Sequence, residues 1–283
     1  MAHRKFFSLT GVQNHHPLKI LAKLIHGDER NGGEMSRRLL RHSSLNRLNG
    51  TLLAVPVVNV FGFIHKTRYL PDRRDLNRSF PGSETGSLGA RMAWQFKTQV
   101  LDRATPAVDL HTGAIHRANL PQIRAELKNP ETSRMAEAFG APIIINAGLR
   151  EGSLRAYADS LEIPVITFEG GEALRFDELS IRAGVRGILS VMRKLAMLTP
   201  SKSASKRHDP FVARSSSWER APESGILRSV AALGAKVSKG DILGVISDPS
   251  DLFDQTEYPV TAQYSGLVIG RSNIPLVNEG DAL

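Results

Sequence analysis

The sequence predicts an α/β domain on a largely parallel sheet, followed by a small all-β unit. Between residues 20 and 198, short apolar runs alternate with segments whose apolar residues recur at helical spacing. From Phe211 onward those stripes vanish, and short β-type runs are separated by glycines at positions such as Gly225, Gly234, Gly240, Gly244, Gly266 and Gly270. The small, polar, basic segment from Thr199 to His208 reads as a linker. The expected organisation is residues 1–199, a linker over 200–210, and a β unit over 211–283.

Residues 1–18 show no clear period. The apolar run Ile20-Leu21-Ala22-Lys23-Leu24-Ile25 is a strand with one irregularity, Lys23, because an uncompensated buried charge is costly. It stops at His26-Gly27-Asp28-Glu29. Met35, Leu39, Leu40 and Leu48 are spaced as the stripe of a helix that Gly50 ends. Residues 52–58 read as a strand, and Pro56 marks a sheet edge or the strand's finish, since proline cannot donate to a ladder. Residues 62–86 are irregular, charged and rich in Gly and Pro, far longer than a connection of about four to six residues.

A second helical stripe runs through Leu88, Met92, Phe96, Val100 and Leu101, and 107–110 is a short strand ending at His111. Residues 120–127 form another. Pro130 opens a helix through Phe139 that Gly140 closes, following the preference for proline at the first helical position and glycine just past the end. Ile143-Ile144-Ile145 is a buried strand, 153–161 a helix, 164–168 a strand ending at Glu169, and 179–198 a longer helix.

Bulk composition narrows the chemistry. The chain has 283 residues, 41% of them hydrophobic, as in a soluble globular protein. No run approaches eighteen apolar residues and the first residues lack a signal-peptide pattern, so a cytoplasmic protein without a membrane partner is expected. The absence of cysteine excludes disulfides, thiolate ligands and a cysteine nucleophile; any metal must be held by His, Asp or Glu. The net charge of +9 is spread over the first fifty residues and the linker, without interleaved aromatics or a nucleic-acid motif, which reads as a solvated basic surface rather than a nucleic-acid site.

Three predicted strands end at His26, His111 and Glu169, so their polar side chains arrive independently at the carboxyl edge of the sheet, where α/β folds bind ligands. Zinc in a hydrolytic site takes three protein ligands and keeps a fourth position for water, and His26, Glu29 and His111 supply such a set. Glu169 then remains to take a proton from that water and pass it to a leaving amine. Glu172 competes for this role, but the strand-end position favours Glu169. Asp109, two residues before His111, reads either as a partner to that ligand or as an ordinary strand-end carboxylate. The arginine-rich loop 68–82 suggests an anionic acyl compound, and a solvated loop fits its composition equally well. No G-x-S-x-G, G-x-x-x-x-G-K-[ST] or G-x-G-x-x-G motif is present in a catalytic context.

Four motifs in order, His26-Gly27-Asp28-Glu29, Arg68 with Asp75-Leu76-Asn77-Arg78-Ser79-Phe80-Pro81-Gly82, Asp109-Leu110-His111-Thr112-Gly113, and Thr167-Phe168-Glu169-Gly170-Gly171, resemble the succinylglutamate desuccinylase/aspartoacylase family, relatives of the carboxypeptidase A-type zinc hydrolases. The resemblance implies a zinc-carboxypeptidase-like fold and one zinc ion on His26, Glu29 and His111. It also implies Glu169 as general base and acid, Arg68 on the oxyanion, and Asn77 and Arg78 on the substrate's α-carboxylate. Arg155 is a further candidate carboxylate contact that no motif fixes. The implied activity is hydrolysis of the amide of a small N-acyl amino acid, of N-acetyl or N-succinyl type. A peptide carboxypeptidase and a catalytically impaired metal- or partner-binding homologue are the alternatives, and homo-oligomerisation is left open. Residues 221–281 resemble the family's barrel-sandwich domain, similar to lipoyl domains; the hairpin near Asp248-Pro249 has no lysine, so no lipoyl or biotinyl attachment is expected.

Overall fold

The strands of the large sheet run further than their apolar cores. In the computed structural model, which describes residues 18–23, 25–200, 209–250 and 256–283, the first strand β1 is Leu18–Lys23, described by its backbone. Helix α1 (Asn31–Leu40), strand β2 (Thr51–Val55) and helices α2 (Val60–His65) and α3 (Leu88–Gln99) lead to β3 (Ala104–Gly113) and β4 (Arg117–Ala125). Then come α4 (Pro130–Phe139), β5 (Ile143–Asn146), α5 (Leu154–Ser160), β6 (Val165–Glu172) and α6 (Glu178–Lys194). The expectations for residues 1–17, for the Lys23 side chain and for 201–208 lie outside the described residues.

β3 and β6 do not end at His111 and Glu169 as expected from the apolar runs; they continue to Gly113 and Glu172. Ladder hydrogen bonds belong to the backbone, so a strand persists after its side chains turn polar. The expected single helix from Met35 to Leu48 is also corrected. α1 stops at Leu40, which is 41% exposed, and a short 3-10 helix over Ser43–Arg47 follows. His42 separates the two, with an extended backbone and a ring nitrogen accepting from the Ser44 amide. Between Asn129 and Gly140 the structure follows the sequence signals. Asn129 caps α4 by accepting from the Glu131 and Thr132 amides, Pro130 sits in its first turn, and Gly140 leaves it with φ of 77°.

The large sheet has the order β2-β1-β3-β6-β4-β5-β7, where β7 is Phe211–Ala213. All neighbours are parallel except β6 and β4. β2 is an edge strand and ends just before Pro56. Val108, Leu110, Ile166, Phe168 and Ile123 line one face and pack with Met35 and Leu39 of α1, Met135 and Phe139 of α4, and Ile181 and Ile188 of α6. On the other face, Ala107 and Val165 pack with Phe96 of α3 and Leu154 and Ala158 of α5. Leu70 and Leu76 anchor the long loop into this second cluster, so the charged segment around them is held in place.

The remaining strands are β8 (Gly225–Ser229), β9 (Lys236–Val237), β10 (Ile242–Ser247), β11 (Glu257–Thr261), β12 (Gly266–Leu267), β13 (Gly270–Ser272) and β14 (Leu276–Val277). β11-β10-β8-β14 form an antiparallel sheet over a small core of Leu227, Ile246, Val260 and Val277, and β12 pairs with β9. Two segments of this C-terminal part also join the large sheet, β7 along β5 and β13 along β4. Among the described residues no helix is long and apolar enough to cross a membrane.

Candidate metal centre and active site

Alternation along the strands builds the site. Ala107 and Val165 sit in the apolar cluster; two and four residues later on the same face come Asp109 and His111 on β3, and Thr167 and Glu169 on β6. Period-two geometry keeps these side chains on one face while Leu110 and Phe168 stay in the opposite core. The cross-strand register is His111↔Glu169↔Gln122, so β4 extends the polar row.

A turn after β1 delivers the other two groups. The Glu29 amide bonds to the His26 carbonyl at 3.4 Å and the Arg30 amide to the Asp28 carbonyl at 3.0 Å. The Asp28 carbonyl also accepts from the Leu174 amide at 2.8 Å, tying the turn to the chain just beyond β6. His26 and Glu29 are both 2% exposed and His111 7%. Glu29 lies between the imidazoles: Oε1 is 2.7 Å from His26 Nδ1, and Oε2 is 2.8 Å from His111 Nδ1. One ligand atom from each of the three residues lies within 4.8 Å of the others.

Each imidazole is held from behind by a carboxylate. His111 Nε2 is 2.8 Å from Asp109 Oδ2, and His26 Nε2 is 3.0 Å from Asp75 Oδ1. A neutral imidazole has one N–H; once Nε2 donates to the carboxylate behind it, Nδ1 presents a lone pair to Glu29. Two buried lone pairs facing one carboxylate require a cation, either protons or a metal ion. Burial disfavours His111 as a cation, yet Asp109 and Glu29 outweigh it and raise its pKa well above the usual value. Burial also opposes a charged Glu29, but His111 and His26 hold it below the ordinary carboxylate range. The donors therefore fit a divalent ion that accepts nitrogen and oxygen: His26, Glu29 and His111 would hold it, with Asp109 and Asp75 orienting the imidazoles.

Asp75 received no role from the sequence alone. It caps the short helix over Leu76–Arg78, accepting from the Asn77 amide at 2.8 Å, and its other oxygen takes Arg68 Nε at 3.1 Å and Nη2 at 3.0 Å. Arg68 Nη1 is then 3.7 Å from Glu29 Oε1, which places the guanidinium beside the ligand set. Asn77 Oδ1 accepts from the Leu154 amide, and the Arg78 guanidinium donates to the Asn77 carbonyl. Arg155 Nη2 donates to the Ala147 and Gly148 carbonyls, while its Nη1 is buried without a hydrogen-bond partner. Burial, reinforced by neighbouring Arg124, lowers the Arg155 pKa.

Glu169 is 20% exposed and gripped at both oxygens. Asn119 Nδ2 donates to Oε2 at 2.8 Å, and Arg124 Nε lies 3.1 Å from Oε1. Neither partner was singled out from the sequence; the periodicity of a strand at 120–127 places Gln122 and Arg124 on one face, but only the pairing partner reveals what that face meets.

Residues 21–195 match the family described as the succinylglutamate desuccinylase/aspartoacylase catalytic domain. The chain belongs to this family. Among its relatives, the N-alpha-acetyl-L-2,4-diaminobutyric acid deacetylase of Halomonas elongata is 25% identical over 285 residues, covering 94% of the chain and 81% of that protein. Solved structures extend the likeness. The succinylglutamate desuccinylase/aspartoacylase from Rhodobacter sphaeroides superposes with a TM-score of 0.82 at 25% identity, over 95% of this chain and 85% of that one. The product-bound ectoine utilization protein EutE (DoeB) from Ruegeria pomeroyi gives 0.83 at 25% identity, over 96% and 86%. The likeness therefore reaches beyond the catalytic-domain match into the C-terminal strands.

Proposed function

We propose that the protein is a zinc-dependent deacylase that hydrolyses the amide of a small N-acyl amino acid. The observation that carries this reading is the placement of buried Glu29 between two imidazole nitrogens, with Glu169 on the neighbouring strand. Family membership and the deacetylase relative support the same reaction class.

One zinc ion per chain is assigned to His26, Glu29 and His111; when bound, it supplies Lewis acidity and lowers the pKa of water toward 7, from about 15.7. Glu169 takes the proton of the attacking water on a carboxylate oxygen and returns it to the departing amine nitrogen. Asn119 and Arg124 orient that carboxylate. Arg68, fixed by Asp75, donates to the oxyanion that develops from the amide carbonyl. Asn77 and Arg78 receive the substrate's α-carboxylate; the Asn77 backbone groups and side-chain oxygen are already used within the protein, leaving its side-chain Nδ2 for the ligand. The free Nη1 of Arg155 supports a further carboxylate contact. The C-terminal antiparallel sheets are assigned to a barrel-sandwich unit that shapes access to this pocket.

The test is a screen of zinc-loaded protein against N-acetyl, N-succinyl and N-formyl amino acids, including N-α-acetyl-2,4-diaminobutyrate, with peptides bearing a free carboxyl terminus as a separate arm. Release of a free amine from a subset of the N-acyl amino acids is expected. Turnover of peptides alone would replace the assignment with a carboxypeptidase, and no amide hydrolysis across the screen would remove it.

A further inference from the structure

Strand β4 carries a side chain that the proposed reaction leaves unused. Gln122 is completely buried, is the register partner of Glu169, and neither its Nε2 nor its Oε1 has a hydrogen-bond partner. A buried amide in this state has lost its water and gained nothing in exchange, so an apolar residue would be the more stable choice. Arg124, two residues on, is in a related position. Its Nε is buried and faces Glu169 as an ion pair, without the direction of a hydrogen bond.

Both residues border a cavity of about 600 Å³ between the large sheet and the C-terminal strands. That volume is in the range of about 300–1,000 Å³ typical of small-molecule sites. His26, Glu29, His111 and Glu169 are not among its lining residues, so it is distinct from the proposed metal site. The two meet at a shared wall, Asn119 and Arg124, the pair that grips Glu169.

The lining states the chemistry of an occupant. Arg124, Arg214 and Arg271 contribute positive charge, and the Glu219 carboxylate among them is already engaged by the Gln263 amide. Ile143, Leu227 and Val260 supply an apolar wall. We infer that the cavity is a second ligand site for a small organic carboxylate with an apolar body, its charged end against Arg124, Arg214 and Arg271. Because Arg124 faces both the cavity and Glu169, occupancy is linked to the carboxylate of the proposed reaction.

Trp218 lines the cavity, with the Arg117 guanidinium 4.8 Å above its ring, and Trp94 is the other tryptophan of the chain. Zinc-loaded Trp94→Phe protein therefore carries a single fluorescent reporter beside the site. It is titrated with octanoate and with 3-phenylpropionate, against octanol, octylamine and inorganic phosphate. The carboxylates are expected to change Trp218 emission saturably, with octanol and octylamine weaker by about tenfold or more. Ala231→Phe, which fills part of the cavity, should abolish the change. No saturable response to either carboxylate overturns the inference, as does octanol or phosphate binding as tightly as octanoate. An Ala231→Phe protein that binds undiminished overturns it too. If that variant does not fold, replacement of the exposed Arg214 and Arg271 by alanine must weaken octanoate binding about tenfold, and undiminished binding is the negative result. The readout is independent of amide hydrolysis, so its failure is distinguishable from failure of the deacylase assignment.

Discussion

His111 and Glu169 are register partners on adjacent parallel strands, so their side chains leave the same face of the sheet one strand spacing apart, about 4.8 Å. An imidazole and a carboxylate are thereby held side by side by backbone hydrogen bonds rather than by a loop. Glu169→Gln preserves shape and the Asn119 contact while removing the basic oxygen. Such a variant is expected to keep its zinc and to lose turnover by roughly 10²–10⁴-fold. Metal analysis paired with initial rates on the best substrate checks this; unchanged rates would take Glu169 out of the mechanism.

Asp109 holds His111 from behind at 2.8 Å. Asn at this position can still touch Nε2 but no longer offers a charged acceptor, so the imidazole loses basicity and its preferred tautomer. Asp109→Asn should weaken zinc binding by roughly 10–100-fold, measured by competition with a chromogenic chelator. Asp75→Asn should do the same through His26 and also release Arg68, adding a rate loss that excess zinc does not restore.

The site was legible where chemistry and local sequence coincide. His26 and His111 follow apolar runs directly, with Glu29 three residues after His26, and a polar residue at the end of such a run is visible without a structure. Asp75 was not, because it reaches His26 across 49 residues of chain through a loop whose path no periodicity encodes. Asn119 and Arg124 escaped for a different reason. Their strand was visible, but its antiparallel place beside β6 was not, and that place brings them to Glu169. The same limit applies to β7 and β13. As short runs they read as parts of a C-terminal β unit, while their hydrogen bonds join the large sheet.

Gly27 occupies a position where the ligand turn touches α2. A β-carbon there would come within 1.9 Å of the Gly62 carbonyl carbon and 2.2 Å of the Phe63 amide nitrogen. The three nearest atoms are all backbone of α2, so relief requires displacing the turn or the helix. Gly27→Ala is expected to destabilise the fold by about 1–3 kcal/mol and to reduce zinc occupancy, because His26 and Glu29 flank the displaced residue. Thermal melting with and without added zinc tests this; a variant with unchanged melting temperature and full zinc would show that the turn tolerates the shift.

Helix α1 continues from the ligand turn and is tied to α6 by Arg38, which donates at 2.8 Å to both oxygens of Glu178 and at 2.7 Å to Glu34. Hydrogen bonds from Arg38 and Arg182 lower the Glu178 pKa to about 2, and those from Arg37 and Arg38 lower that of Glu34 to about 2, from ordinary values of 4.5. A carboxylate whose pKa falls on folding stabilises the native state fully above its unfolded pKa, and that contribution is lost as pH falls from there through the folded value. The relevant window is therefore about pH 4.5 down to about 2. Glu178 is exposed and Arg38 and Glu34 lie at the surface only partly covered, so solvent and salt screen them and the effect is modest. Arg38→Ala is expected to lower the melting temperature by roughly one to three degrees at about pH 7, and by less at about pH 3 or in about 1 M salt. A deficit that is constant across pH and salt would assign the role of Arg38 to packing of its aliphatic stem between the helices rather than to its charge.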